Sequence, residues 1–179
     1  MEALHPFEQQ PWLDSTELKA AARWQQGLLD VRFALHTSAD TVVRPKACGQ
    51  PERRDELWTS SCFETFFAEP GQERYWEINL ASNGHWNVYR LDRYRQGLQA
   101  EPQVLGLTYS VHQSATDLQL HFSLNMQTLI PECSSLELSL TAVLEHPQHG
   151  CSYWALDHAG PEADFHRRDS FRPVLRSQG

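Results

Sequence analysis

The sequence predicts an all-β protein, an antiparallel β-sandwich of jelly-roll type with one short N-terminal helix. Three observations predict it. Short segments along the chain alternate apolar and polar residues with the period of a half-buried strand. Turn residues such as Pro70-Gly71 and Asn83-Gly84 separate those segments. Stretches with a helical period are nearly absent. Many short strands with regular turns build a sandwich or a barrel, and a closed lipocalin-like barrel is the second choice.

The elements follow in chain order. Pro11 to Trp24 reads as the helix: Asp14 followed by Glu17 resembles a capping box, and Leu18, Ala21 and Ala22 form a weak apolar stripe. Leu29, Val31, Phe33 and Leu35 alternate with Asp30, Arg32, Ala34 and His36, a strand with one buried face. Val42 to Arg54, rich in Pro, Gly and charge, reads as a loop. Cys62 to Glu69 and Tyr75 to Ser82 are strands, and Asn83-Gly84 turns the second into Trp86 to Leu91. Val104 to Val111, Leu118 to Leu124 and Leu136 to Leu144 follow, with one short helical turn expected between Asn125 and Ser135. Ser152 to Leu156 is the last strand. The tail from Asp157 to Gly179 reads as irregular and is dense in His, Asp, Arg and Pro.

The chain has 179 residues, which suits one domain with a sizeable core. Residues 1–24 read as an N-terminal extension and 172–179 as a tail. The formal net charge is -8. An acidic domain lacks the electrostatic footprint for nucleic acid or an anionic membrane surface, so neither is an expected partner. No run of about 18 apolar residues is present. The first residues lack the basic and apolar regions of a secretory signal, which leads to the expectation of a cytoplasmic protein. Cys48, Cys62, Cys133 and Cys151 form no CxxC pair and are read as reduced thiols.

Strand alternation sorts the central residues by face. Trp76, Ile78 and Leu80 point one way, and Tyr75, Glu77 and Asn79 the other. Cys62, Glu64 and Phe66 share a face opposite Phe63, Thr65 and Phe67. If these strands are neighbours, Glu64, Glu77, Asn79 and Asn87 share one sheet surface. Carboxylates and amides there, with aromatic rings beside them, suit a sugar: the polar groups take hydroxyls and a flat ring covers the apolar face. The competing readings are a solvated outer face, or buried carboxylates paired with Arg90, Arg93 or Arg95. Among six tryptophans, Trp58 follows a charged run and is the best candidate for exposure, while Trp76, Trp86 and Trp154 lie in or beside central strands.

The segment Asp157 to Asp169 also holds His158, Asp164 and His166, but its spacing matches no closed metal pattern. A loop pinned by charge-assisted hydrogen bonds is the plainer reading. GxSxG, GxGxxG and phosphate-loop motifs are absent, so neither a catalytic nucleophile nor a cofactor is expected.

The ordered motifs Arg54-Asp55-Glu56-Leu57-Trp58, Cys62-Phe63-Glu64, Tyr75-Trp76-Glu77-Ile78-Asn79-Leu80, Trp86-Asn87-Val88-Tyr89, Tyr94-Arg95, Tyr153-Trp154-Ala155-Leu156-Asp157-His158 and Asp164-Phe165-His166 resemble bacterial DOMON-like proteins. Those are similar to family 9 carbohydrate-binding modules. The resemblance runs from about Leu28 to Phe171. It implies a β-sandwich that binds a ligand without chemistry, a sugar gripped between tryptophan rings in the family 9 modules and sugar or haem in DOMON domains. The matching positions are Trp58, Glu64, Glu77, Asn79, Trp86 and Trp154, with Asp164 and His166 from the tail. Ala163 departs from the pattern, standing where a proline usually precedes the Asp-Phe-His motif.

Three functions compete. The leading one is a small-molecule binding module, with a carbohydrate as ligand. The second is a small sugar-acting enzyme using Glu64, Glu77 or His166 as acid and base. The third is a structural or partner-binding sandwich whose tryptophan and carboxylate face is core. An open cleft with a free tryptophan ring favours the first.

Overall fold

A computed structural model describes residues 1–176. Twelve strands are present among them: β1 (Glu2–Pro6), β2 (Glu17–Gln25), β3 (Leu28–His36), β4 (Cys62–Ala68), β5 (Tyr75–Ala81), β6 (Trp86–Leu91), β7 (Gln99–Ala100), β8 (Thr108–Gln113), β9 (Asp117–Asn125), β10 (Ser135–His146), β11 (Gly150–Ala155) and β12 (Arg172–Arg176). Paired strands run antiparallel in the order β7-β6-β5-β4-β10-β11-β1-β2-β3-β9-β8, with β12 beside the first part of β10. The path folds into two layers, β1-β2-β3-β9-β8 facing β7-β6-β5-β4-β10-β11. Strand β1 belongs to both, pairing β2 on one side and β11 on the other.

Between the layers lies one core. Trp76, Ile78, Leu80, Phe63 and Phe67 meet Val31, Phe33, Leu120 and Phe122, all buried. Phe67 and Trp76 stack at 5.2 Å, and Phe33 meets Phe63 at 5.4 Å. The alternation of β3 with β9 sets this up. Leu29, Val31, Phe33 and Leu35 face Leu124, Phe122, Leu120 and Leu118 in register, so each pair puts two apolar side chains inward.

The N-terminal helix is corrected. Glu17–Gln25 is strand β2, in register with β3 from Glu17↔His36 to Gln25↔Leu28. Leu18, Ala20 and Trp24 are buried while Glu17, Lys19 and Gln25 are exposed, a two-residue period that outweighs the local helix signals. Asp14 instead follows a single 3-10 turn at Pro11–Leu13. Gln26 and Gly27 close the hairpin with φ of 52° and 79°, the twist a two-residue turn needs. Residues 1–24 are therefore woven into both layers.

The strand expected from Val104 begins at Thr108. The turn expected after Asn125 is a 3-10 turn at Met126–Thr128, whose first amides gain the Asn125 side chain: Gln127 N–H donates to Oδ1 at 3.0 Å. The tail adds a strand that its composition hid, β12. All four cysteines are free. No helix among the described residues is long and apolar enough to cross a membrane.

Candidate functional site

Every residue of β4 and β5 is buried. One face is covered by the core, and the outer face lies under loops 53–60, 92–98 and 157–169. Register arranges that outer face in rows. Thr141, Glu64, Asn79 and Asn87 stand side by side across β10, β4, β5 and β6. Ser139, Phe66, Glu77 and Tyr89 form the next row. The solvated outer face considered from the sequence is thus absent, because loops roof it.

The roof leaves a cleft of about 310 Å³. Glu64 and Glu77 lie at its floor, with Trp58, Arg95, Tyr153, Phe165 and His166 around them. Trp58 comes from a 3-10 turn, Leu57–Thr59, entered through Glu56 at φ 59°. Asp55 anchors that turn. Tyr89 Oη donates to Asp55 Oδ1 at 2.7 Å and Asn87 Nδ2 donates to it at 3.0 Å. The Trp58 ring then meets Tyr89 edge-on at 5.6 Å and stays partly open.

Glu64 is 2% exposed and Glu77 4%. Asn79 Nδ2 donates to Glu77 Oε1 at 2.8 Å. Thr141 Oγ1 donates to Glu64 Oε2 at 3.5 Å. Glu64 Oε1 and Asn79 Oδ1 have no hydrogen-bond partner among the described residues. Nor does an ion pair reach either carboxylate there. Arg95 is taken by Asp164 at 2.8 Å, and Arg93 bonds Gln96. The arginine-paired alternative is thus replaced by two neighbouring carboxyls with no ion-pair contact among the described residues. Burial, reinforced by the charge of Glu77, pushes the Glu64 carboxyl well above the usual range against the Thr141 bond. Burial likewise pushes Glu77 up to about 7, opposed by the Asn79 bond and the charge of Arg95.

Asp164 joins the two loops over the cleft. Its Oδ1 accepts from Arg95 Nη2 at 2.8 Å and from the His166 amide at 3.0 Å, and Oδ2 accepts from Tyr94 Oη. His166 is held by Tyr75, whose hydroxyl lies 2.8 Å from Nδ1. Burial, then the charge of Arg95, lowers His166 to about 4, so it is neutral at pH 7. Other members of the 157–169 segment are likewise tied to protein. Asp157 binds Arg172, Asp169 binds Arg167, and His158 lies 2.9 Å from the His5 carbonyl. No cluster of three or more His, Cys, Asp or Glu side chains among the described residues is placed to hold a metal.

The candidates therefore divide. Trp58, Glu64, Glu77 and His166 line the cleft. Asn79 is fully buried beside Glu77 and positions it. Asp164 ties the roof. Trp86 and Trp154 point to the other side, into the core between the layers. Trp86 lies under the Arg53 guanidinium at 4.7 Å, and Trp154 Nε1 donates to Ser152 Oγ at 2.9 Å. Arg95, Tyr153 and Phe165 also line the cleft, although the sequence does not mark them as ligand-binding candidates. For Tyr153 a signal existed: if Ser152, Trp154 and Leu156 alternate inward, Tyr153 must face out.

No protein-family model matches the sequence, and no curated protein matches it. Solved structures do share the fold. A Bacteroides uniformis protein proposed to bind carbohydrate aligns with TM-score 0.61 and 12% identity over 98% of this chain and 86% of that one. A family 9 carbohydrate-binding module from Caldicellulosiruptor kristjanssonii in complex with glucose aligns with TM-score 0.57 and 10% identity, over 97% and 81% of the two chains. Such a module from the same organism in complex with cellotriose gives 0.61 and 9%, over 99% and 82%. At such identities the likeness establishes the fold, which is that of the family 9 carbohydrate-binding modules.

Proposed function

We propose that this chain is a non-catalytic module that binds a carbohydrate in the cleft beneath Trp58. The observation that carries the reading is a partly open tryptophan ring, held edge-on by Tyr89, above a floor of hydrogen-bonding groups from Glu64 and Glu77. A flat apolar ring with polar groups below is the arrangement a pyranose needs. The shared fold with modules solved in complex with glucose and cellotriose supports it. In this reading Trp58 stacks on the sugar, Glu64, Glu77 and His166 take hydroxyls, and Asn79 and Asp164 hold those groups in place. Trp86 and Trp154 contribute packing.

The acid–base enzyme alternative requires two carboxyls flanking the bond to be cut. Glu64 and Glu77 rise from adjacent strands of one floor, which favours holding a ligand from one side. Calorimetric titration with glucose and cellotriose tests the proposal, alongside thermal melts in their presence. A ligand at a hundred times its Kd stabilises the native state by about 2.7 kcal/mol. Absence of binding and of any melt shift across a panel of mono- and oligosaccharides would sink it.

A further inference from the structure

We propose that the sugar taken by this cleft carries a protonated amine, received by Glu64 and Glu77; the inference rests on the carbohydrate reading above. The floor has an excess of acceptors. Glu64 Oε1 lacks a donor among the described residues, and the one side-chain donor that reaches Glu77 is Asn79 Nδ2, on Oε1. A sugar hydroxyl brings one donor together with acceptors of its own. An ammonium group brings three donors and no acceptor. With its carboxyls ionised, that floor only accepts, and the ammonium satisfies it better than a hydroxyl does.

Charge points the same way. The cleft's arginine is Arg95, and Asp164 compensates it at 2.8 Å. His166 is neutral with its Nδ1 facing the Tyr75 hydroxyl. Cys62, Tyr75 and Tyr89, which share the outer face, stay protonated because burial raises each of them. The two floor carboxyls are thus the groups of the site that can carry negative charge with no ion-pair partner among the described residues. The rings of Trp58, Tyr153 and Phe165 at the walls suit a cation as well as a sugar face. Beyond Tyr153 lies a second hollow whose lining includes two further carboxylates, Glu8 and Glu162.

Empty, the pair retains a proton, since two buried carboxyls cannot both ionise cheaply side by side. When the ammonium enters, a carboxyl O–H bond breaks and its proton goes to solvent. The ammonium keeps all of its own. Binding an amino sugar therefore releases protons, and binding a neutral sugar does not.

Calorimetric titration at pH 7 tests this with glucosamine, N-acetylglucosamine and glucose, each in two buffers of different ionisation heat. Glucosamine is expected to bind at least about tenfold more tightly than the other two, from the strength of hydrogen bonds to charged groups. Its heat alone should depend on the buffer. Glu64→Gln and Glu77→Gln should each shrink the preference for glucosamine, with melts confirming that they fold. Glucose binding as tightly as glucosamine overturns the amine inference and leaves the carbohydrate reading standing. A preference undiminished in both variants also overturns it. No binding of these sugars or of cellotriose overturns both.

Discussion

The hydroxyl of Tyr75 accepts the backbone N–H of Arg95 at 3.2 Å and lies 2.8 Å from Nδ1 of His166. With Arg95 on one lone pair, the hydroxyl proton is free for His166; we assign it there, which makes Nδ1 an acceptor and places the imidazole proton on Nε2. Nitrogen-15 spectra should report the neutral Nε2–H tautomer across neutral pH, with titration only near pH 4. A His166 that titrates near 6.5 with mixed tautomers would break this assignment. Tyr75→Phe should release the tautomer, giving mixed Nδ1–H and Nε2–H forms, while the titration stays low because burial and the charge of Arg95 set it.

The two kinds of tryptophan should separate in mutagenesis. Trp58→Ala removes a partly open ring at the cleft and should change stability by no more than about 1 kcal/mol. It should abolish detectable sugar binding. Trp154→Ala empties a 3% exposed site in the core and should destabilise by about 3–5 kcal/mol. Denaturant melts and titrations of both variants check this, and equal stability losses would contradict the assignment.

Glu77 and His166 should act on stability with opposite signs. Glu77 has a folded pKa near 7, above its ordinary 4.5, so the folded state holds the extra proton. Its contribution is complete at low pH and is lost as pH rises from about 4.5 through 7. His166 has a folded pKa near 4, below 6.5, so its contribution is present above 6.5 and lost as pH falls toward 4. The two partly cancel in the native protein. Glu64 acts in the same direction as Glu77, so Glu77→Gln, which keeps the acceptor for Asn79, should make stability fall less steeply with pH over 4.5–7 and stabilise the protein at pH 8. The gain is on the order of 3 kcal/mol, from about 1.4 kcal/mol for each pKa unit between 4.5 and about 7. Melts at half-unit steps of pH decide it, and destabilisation at pH 8 would show Glu77 to be a needed anion.

Asp164 should control how firmly the roof is held. Asp164→Ala removes acceptors from Arg95, Tyr94 and the His166 amide together. Hydrogen bonds to a charged group contribute about 1.5–3 kcal/mol. Amide exchange in residues 92–98 and 157–169 should then quicken by about tenfold to a hundredfold, while β4 and β10 keep their protection. Unchanged exchange in both loops would show that they do not depend on this carboxylate.

Alternation alone made the floor of the cleft legible. A strict two-residue period in Cys62–Ala68 and Tyr75–Ala81 fixes which side chains share a face, and antiparallel pairing then brings Glu64 beside Asn79. The same rule read at Tyr153 and Trp154 distinguishes the outward ring from the inward one, where size and residue type mislead. The N-terminal strand was hidden because Asp14 and Glu17 form a local helix signal. The pairing that overrides it, β2 on β3, is visible only once both segments are compared. The roof was hidden for a different reason. Tyr94, Arg95 and Asp164 meet across some seventy positions, and neither loop has a period to announce it. Arg95 at φ 52° adds a left-handed residue whose type gives no warning.

Strand β1 has a neighbour in each layer, Leu4 against Leu18 in one and His5 against Ala155 in the other. During vectorial synthesis the first neighbour emerges almost at once and the second only near the end of the chain. Until then the β1–β2–β3 meander carries an unpaired edge and a bare apolar face, the kind of surface that holdase chaperones occupy. Closure between β1 and β11 spans most of the chain, so loop-closure entropy weighs heavily on it. Folding should therefore be slow for a domain of this size, with sheet–sheet docking as its late step. A proline or charge introduced into Glu2–Pro6 should first reveal itself as poor yield and aggregation during expression.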